Sequence, residues 1–136
     1  MTAMKSLIRI SNHEVETLQK RLAEIVDRRT GFEIKLTVLE AEGEAEMFHA
    51  RGDAEAGWYL IGFRDGLKQR KAAVQAQLDA VVREEAGARD ALSEAFEALK
   101  KYEQVAEAHK VAARKEEGRR ETAALDELGL RRVVGR

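Results

Sequence analysis

The sequence predicts an all-α fold, a long antiparallel two-helix coiled-coil hairpin with the second helix longer than the first. Three observations carry that prediction. Proline is absent from all 136 residues, so no helix is broken by a missing backbone donor. Charged residues make up 36% of the chain and aromatics only 5%, a balance that suits long helices and argues against a sandwich or barrel. Apolar residues recur at spacings of three and four over most of the length, as in the seam between paired helices. The hydrophobic share of 44% also sets the chain apart from disordered sequences, which lack the apolar residues to bury surface.

The first helix is expected over about residues 5–50. One set of positions seven apart reads Ile8, Val15, Leu22, Arg29, Leu36 and Gly43, and its companion reads Ser11, Leu18, Ile25, Phe32, Leu39 and Glu46. From Val15 to Leu39 only Arg29 breaks the apolar run. A seam this narrow buries itself against one partner helix. The Arg29 stem is expected to lie along it with the charged head reaching water.

A reversal is expected at about 51–57, where Gly52 and Gly57 supply backbone freedom. The second helix follows over about 58–128, starting weakly because of Gly62 and Gly66. Its seam sets are Leu60, Leu67, Val74, Val81, Ala88, Ala95, Tyr102 and His109, with Arg64, Lys71, Leu78, Glu85, Leu92, Leu99, Ala106 and Ala113. At ~1.5 Å per residue such a helix is roughly 100 Å long. With a short C-terminal tail, residues 1–136 read as a single coiled-coil domain.

Folding back at Gly52–Gly57 pairs residues whose numbers total about 110, since positions of one type face the other type across an antiparallel seam. Val15 then meets Ala95, Leu18 meets Leu92, Leu22 meets Ala88, and Phe32 meets Leu78. Larger residues mostly oppose smaller ones, as interdigitation requires. Glu46 opposes Arg64, whereas Ile25 opposite Glu85 and Leu39 opposite Lys71 are mismatches. A register one heptad away moves the reversal onto Trp58–Tyr59 and stays open. The acidic run Glu40, Glu42, Glu44, Glu46 and the basic run Arg64, Lys68, Arg70, Lys71 favour the antiparallel arrangement, because a parallel dimer would stack each run on itself.

Chemistry is sparse. A net charge of −1 favours neither nucleic acid nor an anionic membrane. Without cysteine there are no disulfides or thiolate metal sites. Gly57-x4-Gly62 leads into Phe63-Arg64, with no lysine where a phosphate loop needs one. His13, His49 and His109 stand far apart, without a second histidine at ligand spacing. The basic pairs Arg28-Arg29, Arg119-Arg120 and Arg131-Arg132 lack stacking aromatics and read as solvated helix faces. The opening residues do not form a secretory signal, because Arg9 cuts the brief apolar run. A non-enzymatic, cofactor-free cytoplasmic protein is expected.

Two stretches suit protein partners. Met47, Phe48, Trp58, Tyr59 and Phe63 crowd the reversal with Leu60 and Ile61, as either a cap closing the hairpin or an exposed anchor patch. Beyond about residue 105 the second helix outruns the first, yet Val111, Leu125 and Leu128 continue among Arg114, Arg119, Arg120, Arg131 and Arg132. That overhang suits docking against another protein.

The opening Lys5-Ser6-Leu7-Ile8-Arg9-Ile10, followed by Glu14-Val15-Glu16-Thr17-Leu18-Gln19-Lys20-Arg21-Leu22-Ala23-Glu24-Ile25, resembles the start of FliJ-family flagellar export proteins. Tyr102-Glu103 and Lys115-Glu116-Glu117-Gly118-Arg119-Arg120-Glu121, leading to Leu125-Asp126-Glu127, resemble the family's end. The resemblance implies an antiparallel two-helix coiled coil similar to the stalk of rotary ATPases. It implies partners too: the hexameric flagellar export ATPase, the cytoplasmic domain of the export-gate membrane protein and, for some members, export chaperones. On that reading Met47, Phe48, Trp58, Tyr59 and Phe63 face the gate, while Arg114, Arg119, Arg120, Leu125 and Leu128 face the ATPase ring. The implied location is the cytoplasmic face of the basal body, peripheral to the membrane through the export complex. An injectisome stalk protein or a homo-oligomeric coiled-coil scaffold are the alternatives.

Overall fold

The computed structural model describes residues 2–51 and 56–134. Two α-helices account for nearly all of them: α1 spans Thr2–Ala50 and α2 spans Ala56–Val134, 49 and 79 residues long. The fold is the helical hairpin that the heptads predict, with the longer helix second. Arg51 closes α1, its backbone N–H donating to the Phe48 carbonyl at 3.4 Å. The centre of the expected reversal, residues 52–55 with Gly52, lies outside the described residues. Arg131 and Arg132 occupy the last turn of α2, where cations complement the partial negative charge of a helix C-terminus. Among the described residues, no helix is long and apolar enough to cross a membrane.

The chain divides into two compact units, one of Glu16–Ser93 and one of Met1–Val15 with Glu94–Arg136. In the first, the α1 seam positions are all shielded: Ile25 and Gly43 are buried, and Leu18, Leu22, Arg29, Phe32, Leu36, Leu39 and Glu46 are half-buried. From α2, Leu67, Val81, Glu85 and Ala88 are buried, while Leu60, Lys71, Val74, Leu78 and Leu92 are half-buried. The core centres on Ile25, which is 1% exposed and clusters with Val81 and Ala88 while Leu22 and Phe32 pack against it. Small Ala88 leaves room for the larger α1 side chains, as interlocking helices require.

Contacts across the seam fix its register. A Cβ built on Gly43 would stand 2.6 Å from Leu67 Cδ2, so a side chain there would force the buried Leu67 to shift. Arg28 Nη2 reaches Glu84 Oε1 at 2.7 Å, and an Arg64 Nη2 N–H donates to Met47 Sδ at 3.6 Å. These pairs total close to 110, so the register is the first of the two that the sequence leaves open.

Two of the seam's exceptional residues are each other's partners. Arg29 Nη1 lies 3.0 Å from Glu85 Oε2, and their side chains are 31% and 9% exposed. The arginine head therefore binds a carboxylate in the seam, where the sequence expects it in water. A buried carboxylate needs such a cation beside it, since desolvation alone strongly disfavours its charge. Glu85 also meets Arg89 at 3.5 Å, and Arg29 Nε stands 3.5 Å from Glu33 Oε1. That Nε is buried without a hydrogen-bond acceptor in good geometry. The expected Glu46–Arg64 pair does not form among the described residues, because Arg64 turns to the Met47 sulfur and is exposed.

In the second unit, Ser11 and Val15 of α1 are buried, as are Ala95 and Leu99 of α2, with Ile8, Tyr102 and Ala106 half-buried. The seam fades after Ala106. His109 and Ala113, the next seam positions, are exposed, and up to Val133 only Glu116 is partly shielded.

Candidate partner-binding surfaces

In the unit of residues 16–93, the five residues assigned to the gate fall into two groups. Met47 and Phe63 line a shallow cleft of about 240 Å³ with Gly43, Leu67 and Arg64. Phe63 is half-buried, and its ring stacks on Tyr59, centroids 6.0 Å apart at 22°. Phe48 and Trp58 instead face solvent, 71% and 88% exposed, with Tyr59 and Ile61 also exposed. Both rings, which the sequence offers as part of a cap or of an anchor patch, therefore lie outside the buried core. An indole that far into water contributes little to the fold and offers a large apolar surface to a partner.

A second apolar surface escapes the heptad reading. Ile34 and Val38 are exposed on α1 and, with Leu39, Ala73 and Val74, line a groove of about 390 Å³ edged by Lys35 and Arg70. The Lys35 ammonium sits 5.4 Å from the centroid of the Phe32 ring, a distance at which a cation is held by the ring face. The signal was present as Ile34, Val38, Ala41, Ala45 and Phe48, alternately four and three apart. Such spacing places them on one helix face, separate from the seam and ending at the exposed phenylalanine.

In the other unit, Leu125 and Leu128 are exposed, as are Leu130 and Val133. Arg114, Arg119 and Arg120 are exposed as well. The last two are tied to their own helix: Arg119 donates to Glu116 through Nε at 3.2 Å and Nη2 at 2.8 Å, and Arg120 Nε lies 3.5 Å from the same carboxylate. A glutamate preceding its arginines by three and four residues is the favourable orientation on a helix. The Arg119 fork holds the Glu116 carboxyl below its usual range, assisted by Arg120 and opposed by desolvation. The carboxylate in turn raises Arg119 above its ordinary value. Because the helical pKa of Glu116 is depressed, its stabilisation is present above the ordinary carboxylate range and disappears as pH falls through the depressed value. Cα chemical shifts of residues 114–122 are expected to drift toward coil over that acid window, and Glu116→Gln should remove the drift.

Among the described residues, no cluster of three His, Cys, Asp or Glu side chains is arranged to hold a metal ion. Fold and exposed groups together define a class, the two-helix coiled-coil protein with apolar side chains left in solvent. The chain matches the family described as "Flagellar FliJ protein" across residues 1–136. It is 61% identical over 129 residues to a curated "Flagellar FliJ protein" of Caulobacter vibrioides strain NA1000 / CB15N, covering 95% of this chain and 93% of that relative. The "Flagellar FliJ protein" of strain ATCC 19089 / CIP 103742 / CB 15 matches with the same figures. The chain belongs to this family of flagellar proteins. No solved structure gives a significant match.

Proposed function

We propose that the chain is a non-enzymatic stalk and adaptor of flagellar protein export, joining the export ATPase ring to the export gate and assisting chaperone–substrate delivery. Membership of the flagellar family supports the setting, and the observation that carries the reading is the exposed apolar surface around Phe48 and Trp58. Met47, Phe48, Trp58, Tyr59 and Phe63 bind the gate's cytoplasmic domain in this proposal, with the Ile34–Val38 groove extending the contact along α1. Arg114, Arg119, Arg120, Leu125 and Leu128 meet the ATPase ring, and the protein works in the cytoplasm at the basal body.

Adaptor work needs no catalytic group. It needs folding energy and binding energy to reside in different side chains, so that contacts can form and break while the hairpin stays intact. Ile25 serves the fold, and Trp58 is free for a partner. Phe48→Ala combined with Trp58→Ala is expected to weaken gate binding by about 30-fold or more, the scale of lost aromatic anchors. The melting temperature should hardly move, because both side chains stand in water. Titration of the purified gate domain reads the affinity, and thermal unfolding reads the fold. Unchanged affinity in the folded variant would refute the gate assignment.

A further inference from the structure

Arg28-Arg29-Thr30-Gly31 on α1 and Glu84-Glu85-Ala86-Gly87 on α2 have the same layout with opposite charge. The structure joins them through Arg28–Glu84 at 2.7 Å and Arg29–Glu85 at 3.0 Å. Gly31 is the only glycine of α1 between residues 16 and 42, and Gly87 is the only glycine of α2 between 67 and 93. Packing does not demand either. A Cβ at Gly31 or Gly87 meets nothing within 4 Å, whereas one at Gly43 would collide with Leu67. Two exposed helix interiors therefore carry the residue that weakens a helix most after proline, with no close approach in return.

Their levels along the seam are staggered. Because the helices run antiparallel, Gly31 lies on the reversal side of the ion pairs and Gly87 on the other side. In the register that totals about 110, Gly31 stands level with Asp79, so the offset to Gly87 is about eight residues, or roughly 12 Å. Bending a helix pair tends to make one helix slide along the other, and the paired charges oppose sliding. Moved by one heptad to a total of about 103, Arg29 faces Val74 and Glu85 faces Leu18, so both charges lose their partners. Backbone softness beside a fixed register is the combination that lets a hairpin bend without slipping.

We propose that residues 25–31 and 81–88 form a clamped flexure: the Arg28–Glu84 and Arg29–Glu85 pairs hold register while Gly31 and Gly87 let α1 and α2 bend at staggered levels. The device is built into the fold and does not depend on which partners the hairpin binds. It belongs to the unit of residues 16–93, and the other unit has no part in it.

The test compares the full chain with the Gly31→Ala/Gly87→Ala variant, which has open space for both methyl groups. Nitroxide labels at exposed Lys20 and Glu40 span Gly31, and labels at exposed Gln77 and Ser93 span Gly87. Pulsed dipolar spectroscopy should give narrower distance distributions for both label pairs in the alanine variant. Amide exchange near residues 31 and 87 should slow by about fivefold, the scale of a glycine-to-alanine change in a helix. Gly118→Ala, a change outside the flexure, should leave both readouts as in the unmodified chain. Unchanged widths and exchange in the double variant, or equal narrowing by Gly118→Ala, overturns the proposal. Labels at Glu24 and Asp90 then read the clamp. Arg29→Leu/Glu85→Leu should add a second population displaced by about 10 Å, one heptad of rise, and a single unshifted population overturns the clamp.

Discussion

Replacing Ile25 by alanine is expected to destabilise the hairpin by about 3 kcal/mol, within the range for truncating a fully buried isoleucine. Among the described residues no other side chain of its size is as fully enclosed, at 1% exposure, and it joins Val81 and Ala88 across the seam. Truncation leaves a hole that Ala88, already small, cannot fill. The half-buried neighbour Leu22 has water on one side and should lose distinctly less when cut to alanine. Urea unfolding followed by far-ultraviolet circular dichroism checks both: the Ile25→Ala midpoint should fall while the slope stays constant. If Leu22→Ala proves the more damaging, the centre of the core has been misplaced.

Removing one partner of the buried ion pair should have the next largest effect. Arg29→Leu leaves the Glu85 carboxylate with only Arg89, 3.5 Å away. Stripping the partner from a buried charge costs several kcal/mol. The partial exposure of Arg29 reduces that to about 2 kcal/mol. Arg29→Leu/Glu85→Leu should recover most of the loss, because the unpaired charge disappears and apolar surface replaces it. The sum of the single effects should therefore exceed the double effect by about 2 kcal/mol in a double-mutant cycle. Additive losses in urea melts would show that the two residues do not act as a pair.

The seam was readable because heptad spacing and helix geometry are nearly the same statement. Of the sequence-derived positions from Ile8 to Ala106, Arg64 alone is exposed. It fails for a local reason, since a long guanidinium near the reversal finds the Met47 sulfur outside the seam. The Arg29–Glu85 pair was hidden because pairing by register compares only residues at the same level. A long arginine reaches diagonally and joins two apparent mismatches. Phe48 and Trp58 were recognisable as aromatics near the reversal, but their exposure depends on where neighbouring side chains turn. The Ile34–Val38 groove was overlooked because a search for one stripe stops when it has found one. For the tail, the spacing of Glu116 to Arg119 and Arg120 already implied local pairs, although the family likeness directed attention outward to a ring.

Loss of the seam after Ala106 means that the distal part of α2 keeps its order by a different force from residues 16–93. Its helix rests on intrinsic propensity and exposed ion pairs such as Glu116–Arg119 and Glu127–Arg131, which dissolved ions screen over distances of about 8–10 Å. The Ile25 core answers to apolar burial, which moderate ionic strength leaves intact. A change in salt therefore acts on the tail while sparing the apolar core, and the tail's order is set by the ionic milieu it meets.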